Sequence, residues 1–450
     1  MTSQSDAAAA PPVQSPVNRL VLGTLSGPSR LYWAIIIALA LVVVIGFSAF
    51  IYQMRTGMGV AGINIPVAWG VYIVNFVFWV GIAHSGTLIS AILYLFRVRW
   101  RTSIYRSAEA MTVFALMTAA LFPLVHLGRV WVFYWILPYP NNSHLYPNFK
   151  SPLVWDVVAV TAYLTVSVLF FWLGLLPDLA AVRDSSQGRR RAIYHILSLG
   201  WQNRHEQWRH YARAYLCLAV LATPLVISVH SVVSWDFAMS ILPGWHTTIF
   251  APYFVAGAIH SGLATIIILL IPLRKILGLE RLITVRHFEA MAQLMILTAL
   301  VILYSYAIEG FTAWYSGNRI EGQFALWRAT GPMAGLYWSM ITGNCIVPLL
   351  FFFKRVRTSL PVLFIFGLVV DAAMWVERLV IIKGSLSHDF MPSAWGRYAP
   401  TWVEITISTA AFAWFILLFL LFAKHAPTVP ISEMKGSLAA RASAESEAAR

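Results

Sequence analysis

Charge is what this 450-residue sequence has least of: Asp, Glu, Lys and Arg make up 11% of it, while 59% is hydrophobic. Soluble domains carry about 25% charged residues, so a single soluble domain is excluded. Cysteine is nearly missing as well. Cys217 and Cys345 both sit inside apolar runs, with no CxxC and no CxxCH. That excludes a disulfide scaffold, covalently attached c-type haem and cysteine-held iron–sulfur clusters. No metal ligand set is expected, and any metal redox centre has to come from a partner. Nor is a cleavable signal peptide expected, because the first apolar run begins only near Leu31, is long enough to span, and lacks a small-residue cleavage site. The net charge of +14 would suit nucleic acid, but the Lys and Arg residues fall in short loops between apolar runs. There they act as topology signals, so the bilayer is the expected partner and nucleic acid is not.

What is abundant is apolar sequence in lengths of about 20 residues or more, enough for a helix to cross a bilayer. Ten such spans are read at 31–53, 66–96, 109–137, 153–177, 212–240, 247–273, 284–312, 331–353, 358–382 and 400–423. The fold class is therefore an all-α integral membrane protein. The tails, 1–30 and 425–450, are rich in small and polar residues and are expected to be poorly ordered. Loops after spans two, four, six and eight hold 18 Lys and Arg residues, and the other five loops hold six. By the positive-inside rule both termini are cytoplasmic, and the loops at 138–152, 241–246 and 313–330 face outward.

The sequence also repeats itself. Ala83-His84-Ser85-Gly86 returns 176 residues later as Ile259-His260-Ser261-Gly262, and RSAEAM (106–111) returns at an offset of 180 as RHFEAM. Leu153-Val154-Trp155-Asp156 meets Leu336-Tyr337-Trp338-Ser339 at 183, and Ser234-Trp235-Asp236 meets Met374-Trp375-Val376 at 140. The basic loop 179–211 accounts for the shortfall. Spans two to five (66–240) and six to nine (241–383) read as two copies of a four-helix bundle in the same orientation. Span one (31–65 with its loop) and span ten (384–424) flank them.

Ionisable groups are costly in hydrocarbon, so each one inside a span is a functional candidate. His126 lies about 26 Å along a helix beyond Glu109, in the outer half of span three, and Arg129 is expected one turn further on the same face. Asp156 opens span four at the outer side and Asp236 closes span five there. A histidine and two carboxylates at one depth suit proton-coupled oxidation of a quinol, whose hydroxyl must be deprotonated as electrons leave. Interfacial ion pairs that only fix packing are the alternative. The repeat favours a site, because Tyr306, Ser339 and Val376 stand at the matching positions of the second copy, which has lost the triad. Trp155, Trp235 and Arg129 are candidate quinol contacts, and His230, which the helical angle turns away from Asp236, would lie behind the site.

A route for protons across the membrane would draw on His84, Glu109, Asp178, His260, Glu289 and Asp371. Glu109 and Glu289 stand at helix starts, where pairing with Arg106 or Arg286 is the structural reading and proton entry the functional one. His84 and His260 are either relays or interhelical hydrogen bonds. Asp371, Glu377 and Arg378 are expected to look into the second bundle, with no direct pair between the adjacent Glu377 and Arg378. Haem ligation by the span histidines is not favoured, since no helix offers paired histidines at a shared depth. The proline-rich outward loop 138–152 is expected to be rigid and to suit docking of an external redox subunit.

The run FPLVHLGRVWVFYWILPYPN (122–141), the following SPLVWD (151–156), GLLPDLAAVRD (174–184) and the repeated HSG and EAM elements resemble the NrfD/PsrC family of membrane quinol subunits. The ten-span form with this pattern is most similar to its alternative complex III branch, the ActC type. The resemblance implies a subunit of a quinol-oxidising electron-transfer complex in the bacterial cytoplasmic membrane, with proton release or translocation. It would have no haem or iron–sulfur cluster of its own and would bind quinol, menaquinol by preference, near the periplasmic face. His126, Asp156 and Asp236 would be the site residues. Electrons would pass to a docked periplasmic iron–sulfur subunit and on to c-type haem subunits, beside a homologous NrfD-like membrane subunit. The rival within the family is the membrane anchor of a molybdoenzyme-type polysulfide, nitrite or dimethyl sulfoxide reductase. A secondary transporter is the rival outside it, opposed by the parallel repeat and the outer position of the polar cluster.

Overall fold

The computed structural model describes residues 16–137, apart from 26 and 28, and 150–436. Ten helices are long and apolar enough to cross a membrane, and the chain is a multi-pass integral membrane protein. In chain order the helices are α1 (Pro16–Gly23), α2 (Arg30–Thr56), α3 (Val71–Leu95), α4 (Tyr105–His126), α5 (Pro152–Asp184), α6 (Gly188–Leu197) and α7 (His205–Ala238). There follow α8 (Phe250–Ile276), α9 (Val285–Tyr315), α10 (Arg319–Thr330), α11 (Ala334–Phe352), α12 (Leu360–Ser387) and α13 (Trp402–His425). All but α1, α6 and α10 are spans.

Two central helices, α3 and α8, pack on each other. On α3 pack α4 and α7, with α5 lying against those two; on α8 pack α9 and α12, with α11 lying against those two, while α2 and α13 pair on the flank against α4. The repeated HSG motif sits where this packing is tightest. A Cβ on Gly262 would lie 2.6 Å from the Ile82 carbonyl oxygen of α3, and one on Gly86 would lie 2.2 Å from the Ala108 carbonyl oxygen of α4. Small residues let helix backbones approach where lipid supplies no hydrophobic drive between them. Gly262→Ala is therefore expected to cost about 1–3 kcal/mol through overpacking. An unchanged Tm of the purified protein would refute that crossing.

Three expectations need correction. The third span does not run to 137: α4 stops at His126, and Val130–Ile136 is a 3-10 segment. Gly128 causes the break, with φ +68 and a Met58 Cγ that would be 2.5 Å from any Cβ placed there. Arg129 is accordingly off the helix and exposed, not one turn beyond His126 on a shared face. The parts of both tails that are described are also ordered by packing. Val17 and Val21 of α1 are buried, and residues 426–431 bury Thr428, Val429 and Ile431 at the basic end of the molecule. Residues 1–15 and 437–450, and the loop residues 138–149, lie outside the described residues.

Candidate functional site

Asp156 stands one turn inside α5, which Pro152 starts with a fixed φ and no amide hydrogen to satisfy. Asp236 stands in the last turn of α7. Because α5 and α7 pack antiparallel, the two carboxyls meet and come within hydrogen-bonding reach of each other. Each residue keeps its Oδ1 buried and without a partner. Beside them the rings of Trp155 and Trp235 meet edge to face, centroids 6.0 Å apart.

His126 occupies the last position of α4, its Nδ1 buried and unpartnered. A residue that the sequence reading passed over secures it. Gln53, fully buried on α2, donates from Nε2 to the Val125 carbonyl (3.0 Å) and accepts from the Tyr72 hydroxyl at Oε1 (2.5 Å). The structure thus joins two members of the expected triad directly. No hydrogen bond among the described residues ties His126 to either carboxyl.

His230 packs away from Asp236. Its ring lies 4.6 Å from that of His84 and 5.8 Å from Phe254, and both its nitrogens are buried without partners. His84 donates from Nδ1 to the Val80 carbonyl of its own helix (2.6 Å), whereas His260 reaches across to the Thr298 hydroxyl of α9 (2.7 Å). Asp371 accepts from Thr265 of α8 (2.8 Å). Glu289 pairs with Arg357 (3.0 Å), and not with Arg286.

Glu109 and Asp178 share one guanidinium at the basic end. Arg106, 1% exposed, donates to Glu109 (2.8 Å), Asp178 (3.2 Å) and the Gly174 carbonyl (2.6 Å). A Cβ on Gly174 would lie 2.3 Å from Nη1, so the glycine of the GLLPD run clears room for the cation that its aspartate neutralises. Tyr215 donates to Glu109 (2.9 Å), and the Ile431 amide donates to Asp178 (3.0 Å). A cavity of about 340 Å³ lined by Arg183, Trp208 and Lys435 reaches Asp178 from this end.

The second set of helices is not bare of polar chemistry. Tyr306 donates to Glu377, Asn344 donates to both (3.0 and 2.9 Å), and Arg378 pairs directly with Glu377, against expectation. Adjacent helical residues diverge at Cβ, yet the long arginine turns back along its own helix while its guanidinium covers the Phe254 ring at 4.6 Å. Asn344 escaped notice because it sits in a π-helical turn, Thr342–Ile346, whose extra residue re-aims side chains. Ser339, by contrast, is exposed and bonds only the Leu336 carbonyl of its own turn. Tyr306→Phe is therefore expected to cost about 1–3 kcal/mol, and Ser339→Ala less than about 0.5 kcal/mol. Comparative thermal unfolding of the two variants would show it, and equal Tm values would refute it. On the same side as these residues, a cavity of about 240 Å³ is lined by Glu309, Glu321 and Arg328, with Arg328 paired to Glu309 (2.6 Å). Among the described residues no group of three or more His, Cys, Asp or Glu side chains is placed to hold a metal.

The family model described as Polysulphide reductase, NrfD matches residues 59–388. A Halobacterium salinarum protein assigned as the membrane subunit of a dimethyl sulfoxide reductase is 30% identical over 51% of this chain and 49% of its own length. A selenate reductase subunit of Mesobacillus selenatarsenatis is 23% identical over 53% and 56%. The Hdr-like menaquinol oxidoreductase integral membrane subunit of Archaeoglobus fulgidus is 20% identical over 82% and 83%. The chain thus spans about half the length of the first two relatives and most of the third.

Proposed function

This chain belongs to the Polysulphide reductase, NrfD family, and from that premise we propose that it is the quinol-oxidising membrane subunit of an oxidoreductase complex. The observation that carries the reading is the Asp156–Asp236 pair with its two unpartnered Oδ1 atoms. A quinol hydroxyl placed there would donate its proton to a carboxylate of the pair as electrons leave the ring. His126 takes the second proton, so two protons and two electrons leave each quinol. The electrons go to an acceptor in a partner subunit, for which the exposed aromatic run Trp131, Phe133, Tyr134 and Trp135 offers a docking surface at the same end.

The positive-inside rule places the basic loops in the cytoplasm, which puts the carboxyl pair on the outer side and releases its protons there. Asp178, which lines the cavity at that end, would then face cytoplasmic water, with Arg106 and Glu109 buried behind it. The relatives support menaquinol as substrate, since one of them is named for it. Two are named as parts of reductases, which favours the membrane anchor of a reductase over the alternative complex III branch that the FP..HLGR pattern suggests. In either case the partners would hold the iron–sulfur and other redox centres.

Purification from native membranes tests the reading. Co-isolation with iron–sulfur and catalytic reductase subunits is expected; c-type haem subunits would instead support the alternative complex III branch. A lone chain that moves a solute in vesicles and leaves menaquinol unoxidised would overturn the proposal.

A further inference from the structure

We propose that the basic end of the molecule carries a binding site for the headgroup of an anionic phospholipid, built by α6 and the last turn of α13. The short helix α6 reads GRRRAIYHIL and folds back along α5, fixed by the Trp172 indole, which donates to the Leu197 carbonyl (3.1 Å). Tyr194, its buried face, donates to the His425 carbonyl of α13 (2.5 Å). These two bonds set the tilt of the helix.

Its two ends then differ in chemistry. The end beside Trp172, inside the apolar span of α5, exposes Ile193, Ile196, Leu197 and Leu199 at 56, 72, 41 and 63%. The other end exposes Arg189, Arg190 and Arg191. Arg190 lies over the Tyr194 ring at 5.6 Å and within electrostatic range of Lys424 and His425. Among the described residues, no ion pair joins Arg189, Arg190 or Arg191 to a carboxylate.

A soluble acidic partner would explain the arginines but would leave the isoleucines and leucines bare. A lipid satisfies both, with its phosphate on the arginines and its acyl chain along the apolar end, the pattern of helices that sit in a membrane interface. Each basic residue near an anionic leaflet is worth about fivefold in affinity.

Native mass spectrometry of the purified protein, titrated with phosphatidylglycerol and with phosphatidylcholine of matched chains, tests the site. Phosphatidylglycerol is expected to bind at least about tenfold more tightly, and R189Q/R190Q to lose about twentyfold of that affinity. R189K/R190K is expected to keep it, which separates charge from fold. I196S is expected to weaken both lipids. Equal affinity for the two lipids, no loss in R189Q/R190Q, equal displacement by inorganic phosphate, or an acidic protein retained through these arginines in place of lipid would each overturn the site.

Discussion

Asp156→Asn is expected to lower quinol oxidation at least about a hundredfold while the complex still assembles, because a general base typically contributes 10²–10⁴. The amide keeps the shape and still reaches Asp236, so packing is preserved and only proton acceptance is lost. Asp236→Asn should behave alike, and the two losses should not multiply, since either change removes the function of one pair. His126→Ala should also fall a hundredfold, by leaving the second proton without an acceptor. Ser339→Ala, at the repeat-related position, is the control and should stay within a few-fold of normal. Tyr306 is unsuited to that purpose, being bonded into the Glu377 and Asn344 network. Steady-state menaquinol oxidation by purified complex reads all four. Near-normal turnover in the Asp156 and His126 variants would show that oxidation takes place elsewhere.

Arg106→Met is expected to prevent the chain from accumulating folded, and here the loss is one of stability. The substitution fills a similar volume but strands the buried Glu109 and Asp178 carboxyls without their shared cation. Breaking a buried pair by removing one partner costs about 3–5 kcal/mol because a charge is left buried and unpaired, a penalty that neutralising every member removes. The decisive comparison is therefore the triple variant Arg106→Met, Glu109→Gln, Asp178→Asn, expected to recover most of the folded yield. Fluorescence-detected size exclusion of detergent extracts would rank the three proteins. A single Arg106→Met variant as abundant as the parent would show that the cluster does not support the fold.

Ten helices were legible in the sequence because hydropathy over about 20 residues is a strong signal, and the carboxyl pair was legible because antiparallel neighbours bring Asp156 and Asp236 to one depth. The limit of α4 was not. Apolar residues continue through Val130–Ile136, so hydropathy cannot see the turn that Gly128 makes; only the left-handed preference of glycine hints at it. Helical angle failed at Glu377 and Arg378, where a long side chain bends back to its neighbour. Asn344 carried no reading at all; it lies in a π-helical turn that leaves the regular period. Gln53 escaped because its role is to hold a backbone carbonyl, Val125, which no side-chain pattern records. The ordered stretch 426–436 escaped because its composition resembles a solvated tail, while its order comes from tertiary bonds to α4 and α5.

Those bonds have a bearing on how the protein is made. Ser107 donates to the Thr428 carbonyl (3.0 Å), Tyr105 to Glu433 (2.9 Å), and the Ile431 amide to Asp178. The segment therefore completes the lining around Arg106, yet the ribosome produces it after every helix it packs against. Until it emerges, Asp178 lacks an amide donor and the lining around Arg106 is incomplete. A chain cut short before residue 426 would keep every span yet leave Ser107, Tyr105 and Asp178 without these partners.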